Sequence, residues 1–410
     1  MTKRVVVTGL GCVTPLGNSV AEFWDGLKNG KCGISLIDKF DTSEVKAKVA
    51  GQVKNFNADD VIGKKEQKRL DAYCQYAMVA ADECMKDSGY KTTEEEATRF
   101  GVIVGSGIGG IATIEEQGIK MHESGPRKVS PFFIPMAITN MAAGNVAIQV
   151  GAKGICTCIV TACASSTHCI GEAFRNIKHG YSDVILAGGA EAPITKIGVA
   201  GFCSARTLTP SEDPLKASTP FDKNRAGFVM GEGAGIVMLE ELEHAKARGA
   251  KIYAEIVGYG ATDDAHHITT PREDGEGARN AMLLACQEAG IDAPDYINAH
   301  GTSTHLNDAM ETRAIKDSFG DKAYDISISS TKSMTGHLLG ATGAVEAIAT
   351  VLAVKNGFIP PTIGFETPDE ELDLDYTFNK GKERDIKYAI SNTLGFGGHN
   401  GVICVKKWEE

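Results

Sequence analysis

Four stretches of the chain carry the residue types from which covalent chemistry is made. In "VTACASSTHC", residues 160–169, Cys163 stands among Ala162, Ala164, Ser165 and Ser166, side chains that leave room beside a thiol. In "YINAHGTSTHLND", residues 296–308, His300 follows a strand-like run and precedes Gly301, with the hydroxyls of Thr302 and Thr304 close behind. "SSTKSMTGHLLGATGAVEAIATV" places Lys332 and His337 in a glycine-rich connection before a helix that is apolar nearly all round, hence buried. The helix carries Glu346, which would be costly alone and calls for a partner: Lys332, a histidine-linked water or a bound cation. "SNTLGFGGHNG" sets Phe396 among three glycines. It reads either as a hairpin with a packed aromatic or as a mobile gate whose N–H can face an oxyanion.

Cys163 admits three readings. A packing cysteine is the bland one; a metal ligand beside Cys156, Cys158 and Cys169 fails on spacing; a nucleophile is the third. "ICTCIV" before it is strand-like, and Ile170, Phe174 and Ile177 share a helix face after it. The thiol therefore falls near a helix N-terminus, where free N–H groups and the dipole should lower its pKa. His300 falls at a strand end, where α/β proteins place reacting groups; a turn-bonding histidine is the alternative, and His305 suits that role better. Asp308, with Glu311 three residues on, reads as the capping box of the next helix. A cysteine protease needs one histidine with an orienting Asn or Asp. A thiol with two histidines suits thioester chemistry instead, the neutral imidazoles donating to a thioester oxygen as decarboxylation makes an enolate.

These residues need a scaffold of buried strands and covering helices. Strand-like runs "RVVVTG", "RFGVIVGSG", "DVILAGGAEA", "GIVMLEELE", "YINAHGT", "ISISSTKS", "YAISNT" and "GVICVKKW" alternate with helical patterns, which implies α/β layering. One helix is expected from about Glu66 to Ser88, ending at Gly89. "CASSTHCIGEAFRNIKHG" and "GATGAVEAIATVLAVKNG", 177 residues apart, form a weak internal repeat. With 410 residues and no linker, the chain reads as two packed halves, 1–250 and 251–410, with the site between them. A net charge of −11 argues against nucleic acid or an anionic membrane as the main partner. No apolar stretch reaches the roughly 18 residues of a membrane span, and the apolar run that opens the chain breaks at Gly9, too short for a signal peptide. Eleven scattered cysteines suggest reduced thiols and a cytoplasmic setting. No GxGxxG or P-loop pattern indicates NAD or ATP.

Taken in order, "VVVTGLGCVTPLGN", "TACASS", "GFVMGEGAGIVMLEELEHAKARGA", "NAHGTST", "KSMTGHLLGATG" and "LGFGGHNG" closely resemble the β-ketoacyl-acyl carrier protein synthases, in particular the elongating synthase II group, over essentially the whole chain. The resemblance implies a thiolase-like α/β fold of two duplicated halves in five layers, α-β-α-β-α, and a homodimer whose partner helps line the acyl pocket. It implies that Cys163 takes an acyl chain from acyl carrier protein and that the Cys163 and Phe396 amides form the oxyanion hole. His300 and His337 would then promote decarboxylation of malonyl-acyl carrier protein, Lys332 and Glu346 ordering them and Phe396 gating the site. By the same resemblance Ile108 and Phe202 line the acyl tunnel, and Thr302 and Thr304 the pantetheine side. Lys64, Lys65, Lys68, Arg69, Arg127, Lys128 and Arg206 dock the acidic carrier protein. No cofactor or metal is implied, the phosphopantetheine arriving on the carrier. A synthase I differs in acyl-chain preference, and "DDAHHITTPREDGEG" resembles the synthase II form of its loop. A non-catalytic chain-length-factor partner lacks the cysteine, and a free-coenzyme A condensing enzyme has Asn or a second Cys for one histidine. His305 stands where relatives often have proline.

Overall fold

Each run read as a strand joins one ten-stranded sheet in the computed structural model, which describes residues 2–409. The order is Ser327–Ser329, Tyr296–Asn298, Tyr388–Gly395, His399–Lys407, Ala254–Asp263, Val5–Val13, Gly233–Glu241, Val184–Glu191, Phe100–Gly105, Cys156–Thr157. It is symmetric about its middle. Each half has parallel pairing among its three outer strands and antiparallel pairing toward the centre, and the halves meet where Val5–Val7 runs antiparallel to Ala254–Ile256.

The two-residue side-chain period of the strands sorts their apolar groups into layers. Ile185 and Ala187 face a central layer of two helices, Ser165–Lys178 and Thr342–Asn356, whereas Val184, Leu186 and Ala190 face the outer helices Ala72–Ser88 and Met141–Val150. In the other half Ile403 and Val405 face the same central helices, and Val402 and Cys404 face Glu276–Ala289 and His305–Phe319. The result is the five-layered, duplicated α/β arrangement expected, with its two sheet layers joined edge to edge. All eleven cysteines are free, and no helix among the described residues is long and apolar enough to cross a membrane.

The weak repeat is a real duplication of local structure. Ala162 and Leu339, 177 residues apart, both have left-handed backbones, with φ of 51° and 47°. Each opens a single 3₁₀ turn, Ala162–Ala164 or Leu339–Ala341, that runs directly into a central helix. The second helix is apolar all round because it lies wholly inside, buried from Thr342 to Val354.

Two local expectations are corrected. The helix expected from Glu66 is two pieces, Lys64–Gln67 and Ala72–Ser88, because the Asp71 carboxylate accepts the Tyr73 N–H at 3.3 Å and caps a new start. Its end at Gly89, φ 64°, is as expected. The cap of His305–Phe319 is Thr304 rather than Asp308, which is fully buried and accepts the Phe221 N–H at 3.0 Å. Glu311 likewise serves another loop, described below.

The first turns of the central helices are sewn together: Ala344 N–H donates to Ser166 Oγ at 2.9 Å. A Cβ on Gly343 would fall 1.9 Å from Thr167 Oγ1 and 2.8 Å from its backbone nitrogen. Gly343→Ala should therefore cost about 3 kcal/mol, the upper range for overpacking, read as a lower urea midpoint at unchanged m-value. A loss under about 1 kcal/mol would show that the helices part easily.

Candidate active site

Cys163 sits in the turn between the left-handed Ala162 and the first central helix, an elbow locked by Ser165, whose Oγ accepts the Thr161 N–H at 2.9 Å and donates to Ala162 O at 2.7 Å. The hairpin Tyr388–Gly395/His399–Lys407 lays its tip on this elbow. Gly395 permits the approach, since a Cβ there would lie 2.9 Å from Thr161 O and 3.2 Å from Cys163 N. The hairpin thereby aims the Phe396 N–H at the cysteine sulfur, alongside the N–H of Cys163 itself.

His300 and His337 arrive from the other half. His300 follows the strand Tyr296–Asn298, and its loop is clamped by Glu311, whose carboxylate accepts the N–H groups of His300 and Gly301, each at 2.8 Å. His337 donates its backbone N–H to Val229 O at 2.7 Å, and its Nδ1 meets the Thr342 hydroxyl at 2.8 Å. The rings stand edge to face with centroids 5.3 Å apart. Beneath them Lys332 Nζ lies 2.6 Å from Glu346 Oε1, the partner that the buried carboxylate required. The thiol and both imidazoles open into one cavity of about 310 Å³, with Phe202, Phe396, Thr302 and Thr304 on its walls.

Burial governs the electrostatics. It pushes both imidazoles well below the ordinary histidine range, helped by the Lys332 charge, so both are neutral. The expectation of a lowered cysteine pKa is overturned: burial pushes the Cys163 thiol up to about 12, although Lys332 and the Phe396 N–H favour the thiolate. Burial also lifts Glu346 to about 7 against the pull of Lys332.

A partly buried thiol, two amide N–H groups aimed at it, and two neutral imidazoles across a cavity are the parts of a carbon–carbon condensation site, and comparison with known proteins agrees. Residues 2–245 match the β-ketoacyl synthase N-terminal domain family and residues 253–366 its C-terminal domain family. The chain belongs to the β-ketoacyl synthases. It is 50% identical over 410 residues to the 3-oxoacyl-[acyl-carrier-protein] synthase 2 of Synechocystis, covering 99% of each chain. It is 52% identical over 409 residues to that of Staphylococcus aureus, again covering 99% of each. Among solved structures, a β-ketoacyl synthase from Burkholderia phymatum superposes with a TM-score of 0.92 at 35% identity, over 99% of this chain and 100% of that one. A ketosynthase described in complex with its type II polyketide acyl carrier protein gives 0.93 at 35% identity, over the whole of both chains.

Ile108 is not among the residues that line this cavity. With Cys163 and Phe202 it packs against an apolar cluster that includes Ile194, Val199, Phe228 and Leu339. The docking candidates fall into two neighbouring groups and one outlier. Lys64, Lys65, Lys68 and Arg69 lie on or just after a short exposed helix, and Arg127 and Lys128 on the exposed turn Pro126–Lys128; the Arg69 guanidinium stacks 4.7 Å over Phe132, which joins these two segments. Arg206 stands apart at the cavity mouth. Lys64 faces Asp59 at 3.4 Å and Arg69 faces Glu66 at 3.8 Å; the other five have no carboxylate in ion-pair reach among the described residues.

Sequence reasoning missed the carboxylates behind the site. Glu191 and Glu311 are fully buried; Glu191 ends the otherwise apolar strand Val184–Glu191, and Glu311, read only as part of a cap, lies on the buried face of a polar helix. For Glu191 that position, an acid where packing calls for an apolar group, was the available signal.

The raised Cys163 pKa sets a testable pH dependence. Below its pKa a thiol gains thiolate roughly tenfold per pH unit. Iodoacetamide alkylation of Cys163 should therefore climb with that slope from pH 7 to 10 without a plateau, and Lys332→Met should slow it at every pH. A plateau near neutrality would mean that the helix dipole outweighs burial.

Proposed function

We propose that this chain is an elongating 3-oxoacyl-acyl carrier protein synthase of the synthase II kind, extending acyl chains by two carbons in bacterial-type fatty acid synthesis. The observation that carries the reading is the convergence of the Cys163 and Phe396 amides on a thiol that shares its cavity with two neutral imidazoles.

In the first half-reaction Cys163 attacks the thioester carbonyl of acyl-acyl carrier protein. The oxyanion forms where the two amides point; the carbon–sulfur bond to pantetheine breaks, and the proton of Cys163 ends on the departing pantetheine sulfur. In the second, malonyl-acyl carrier protein enters with its thioester oxygen toward His300 and His337. Carbon dioxide leaves, and the electron pair of the broken bond becomes an enolate that the two N–H donors hold. The enolate carbon attacks the acyl-cysteine carbonyl, the carbon–sulfur bond breaks, and the released Cys163 thiolate takes up a proton from solvent, the one proton the condensation consumes. The product is a 3-oxoacyl-acyl carrier protein. Thr302 and Thr304, their hydroxyls 3.0 Å apart on the cavity wall, suit the amides of the pantetheine arm. Phe396, half-buried at a hairpin tip beside Phe202, suits a gate that swings once Cys163 is acylated and opens the space held shut around Ile108. No resident cofactor is needed, because the carrier protein brings its own pantetheine.

The acidic carrier protein docks through Lys65, Lys68, Arg127, Lys128 and Arg206, with Lys64 and Arg69 weaker for being paired already. A second copy of the chain completes the enzyme. The edge strand Cys156–Thr157 ends the sheet with one side unpaired, and Ile148, 81% exposed, and Val160, 48% exposed, flank it. Its eleven free thiols suit a reducing cytoplasm. A chain-length-factor role is disfavoured by the intact Cys163.

The test is to incubate the protein with acyl- and malonyl-acyl carrier protein and follow 3-oxoacyl-acyl carrier protein and carbon dioxide. Cys163→Ala should abolish condensation. His300→Ala and His337→Ala should each lower condensation by about 100-fold or more, as for loss of an oxyanion donor, while acylation of Cys163, read by mass spectrometry, persists. Retained condensation in Cys163→Ala would refute the mechanism.

A further inference from the structure

Cys163 has a counterpart 177 residues on, and it is Gly340. Both follow a left-handed residue, both stand second in a single 3₁₀ turn, and both lead into a central helix. In the first elbow the N–H of Cys163 faces the thiol and the space before it. In the second, the N–H of Gly340 is given to a resident anion: it donates to Glu191 Oε2 at 2.9 Å. The same carboxylate accepts the Gly107 N–H at 2.6 Å, the Ile108 N–H at 3.0 Å and the Ser106 hydroxyl at 2.8 Å. The Ser106 oxygen also accepts the Gly109 N–H at 3.0 Å. Burial raises the pKa of this fully buried carboxyl, and the three N–H groups and the Ser106 hydroxyl around it act the other way, favouring the ionised form. The site fits that anion closely: a Cβ on Gly340 would lie 2.6 Å from Glu191 Oε2 and 2.2 Å from Gly107 N.

We propose that Glu191 is a positioning residue of the condensation, a built-in anion in the vacated second elbow that holds the Ile108 loop of one half against the His337–Gly340 segment of the other. The inference rests on the condensing function proposed above and deepens it. Glu191 reaches the chemistry through two routes. It fixes Gly340, three residues from His337, and so the direction from which that imidazole meets the thioester oxygen. It also fixes the Ile108 backbone beside Cys163, where the acyl chain must open a path. Its charge faces the thiol as well, opposing Lys332 there.

The test uses Glu191→Gln, which keeps the volume but turns an amide NH₂ toward N–H donors, and Glu191→Ala, which leaves room for a small carboxylate. Turnover in both should fall about 100-fold, as for a misplacement of about 1 Å. Formate should restore the alanine variant saturably, and chloride at equal ionic strength should not. Iodoacetamide should alkylate Cys163 severalfold faster than in wild type at pH 8 in both variants, and formate should reverse this in the alanine variant. The glutamine variant carries the test by its turnover and alkylation if the alanine variant does not fold. Wild-type turnover in the variants, or a loss with no change in alkylation and no response to formate, would overturn the proposal. Should wild type itself fail to condense, the functional reading falls. Glu191 is then judged by alkylation and by whether formate raises the melting temperature of the alanine variant.

Discussion

Lys332, 1% exposed and 2.6 Å from Glu346 Oε1, is a cation held in a dry place, and the protonation states of the site arrange themselves around it. A charge there is poorly screened. On the imidazoles of His300 and His337, burial and the ammonium act in the same direction, both disfavouring the imidazolium. On the Cys163 thiol they act oppositely: burial disfavours the thiolate more strongly than Lys332 favours it. Burial, reinforced by the ammonium, thus keeps the histidines neutral, and burial against the pull of the ammonium leaves the cysteine protonated at rest. Glu346 pays for keeping the ammonium buried, since an unpaired charge would be expelled or neutralised.

Geometry follows from duplication. Two elbows, each with a strained non-glycine residue and a 3₁₀ turn, bring two helix starts together at the centre of the molecule. The first elbow carries Cys163, and the second has no room for a side chain, being closed by Glu191 and the Gly107 backbone against Gly340. Buried carboxylates recur as clamps on the reacting loops: Glu311 takes the amides of His300 and Gly301, and Glu191 those of Gly107, Ile108 and Gly340. Backbone N–H groups that leave a strand end have no ladder partner, and an ionised carboxylate satisfies two at once. Loops held in this way can carry catalytic groups without the mobility usual for loops.

Sequence legibility tracked the range of the forces involved. Apolar runs such as "RVVVTG" and "GVICVKKW" announced strands because side-chain burial alone defines them, and the motifs around Cys163, His300 and His337 were visible because small residues must surround reacting groups. Ala254–Asp263 went unread as a strand, since Gly258 and Gly260 break its apolar pattern; those glycines are there because Glu276–Ala289 packs so close that a Cβ on Gly260 would meet Ala281 O at 1.9 Å. The capping roles given to Asp308 and Glu311 followed local spacing, whereas both carboxylates are spent on tertiary partners, Phe221 and the His300 loop. The thiol pKa was misjudged for the same reason. A helix N-terminus is a local feature that the sequence displays, but the depth of burial that outweighs it comes from the whole fold.

The same electrostatics bear on the decarboxylation itself. A malonyl carboxylate entering a buried site would be drawn to any free cation, and an ion pair made in the ground state would deepen the well from which carbon dioxide must leave. Lys332 is not free: its charge is matched by Glu346 at 2.6 Å. The neutral pair still biases the imidazoles, because the ammonium rather than the carboxylate is the charge that acts on both rings. On the proposed mechanism, the free Arg206 guanidinium stands at the cavity mouth, and what the malonyl group meets beside the thiol is two neutral imidazole N–H donors, whose hydrogen bonds strengthen as negative charge moves from the departing carboxylate onto the thioester oxygen. On that mechanism binding energy is withheld from the malonyl ground state and delivered to the enolate.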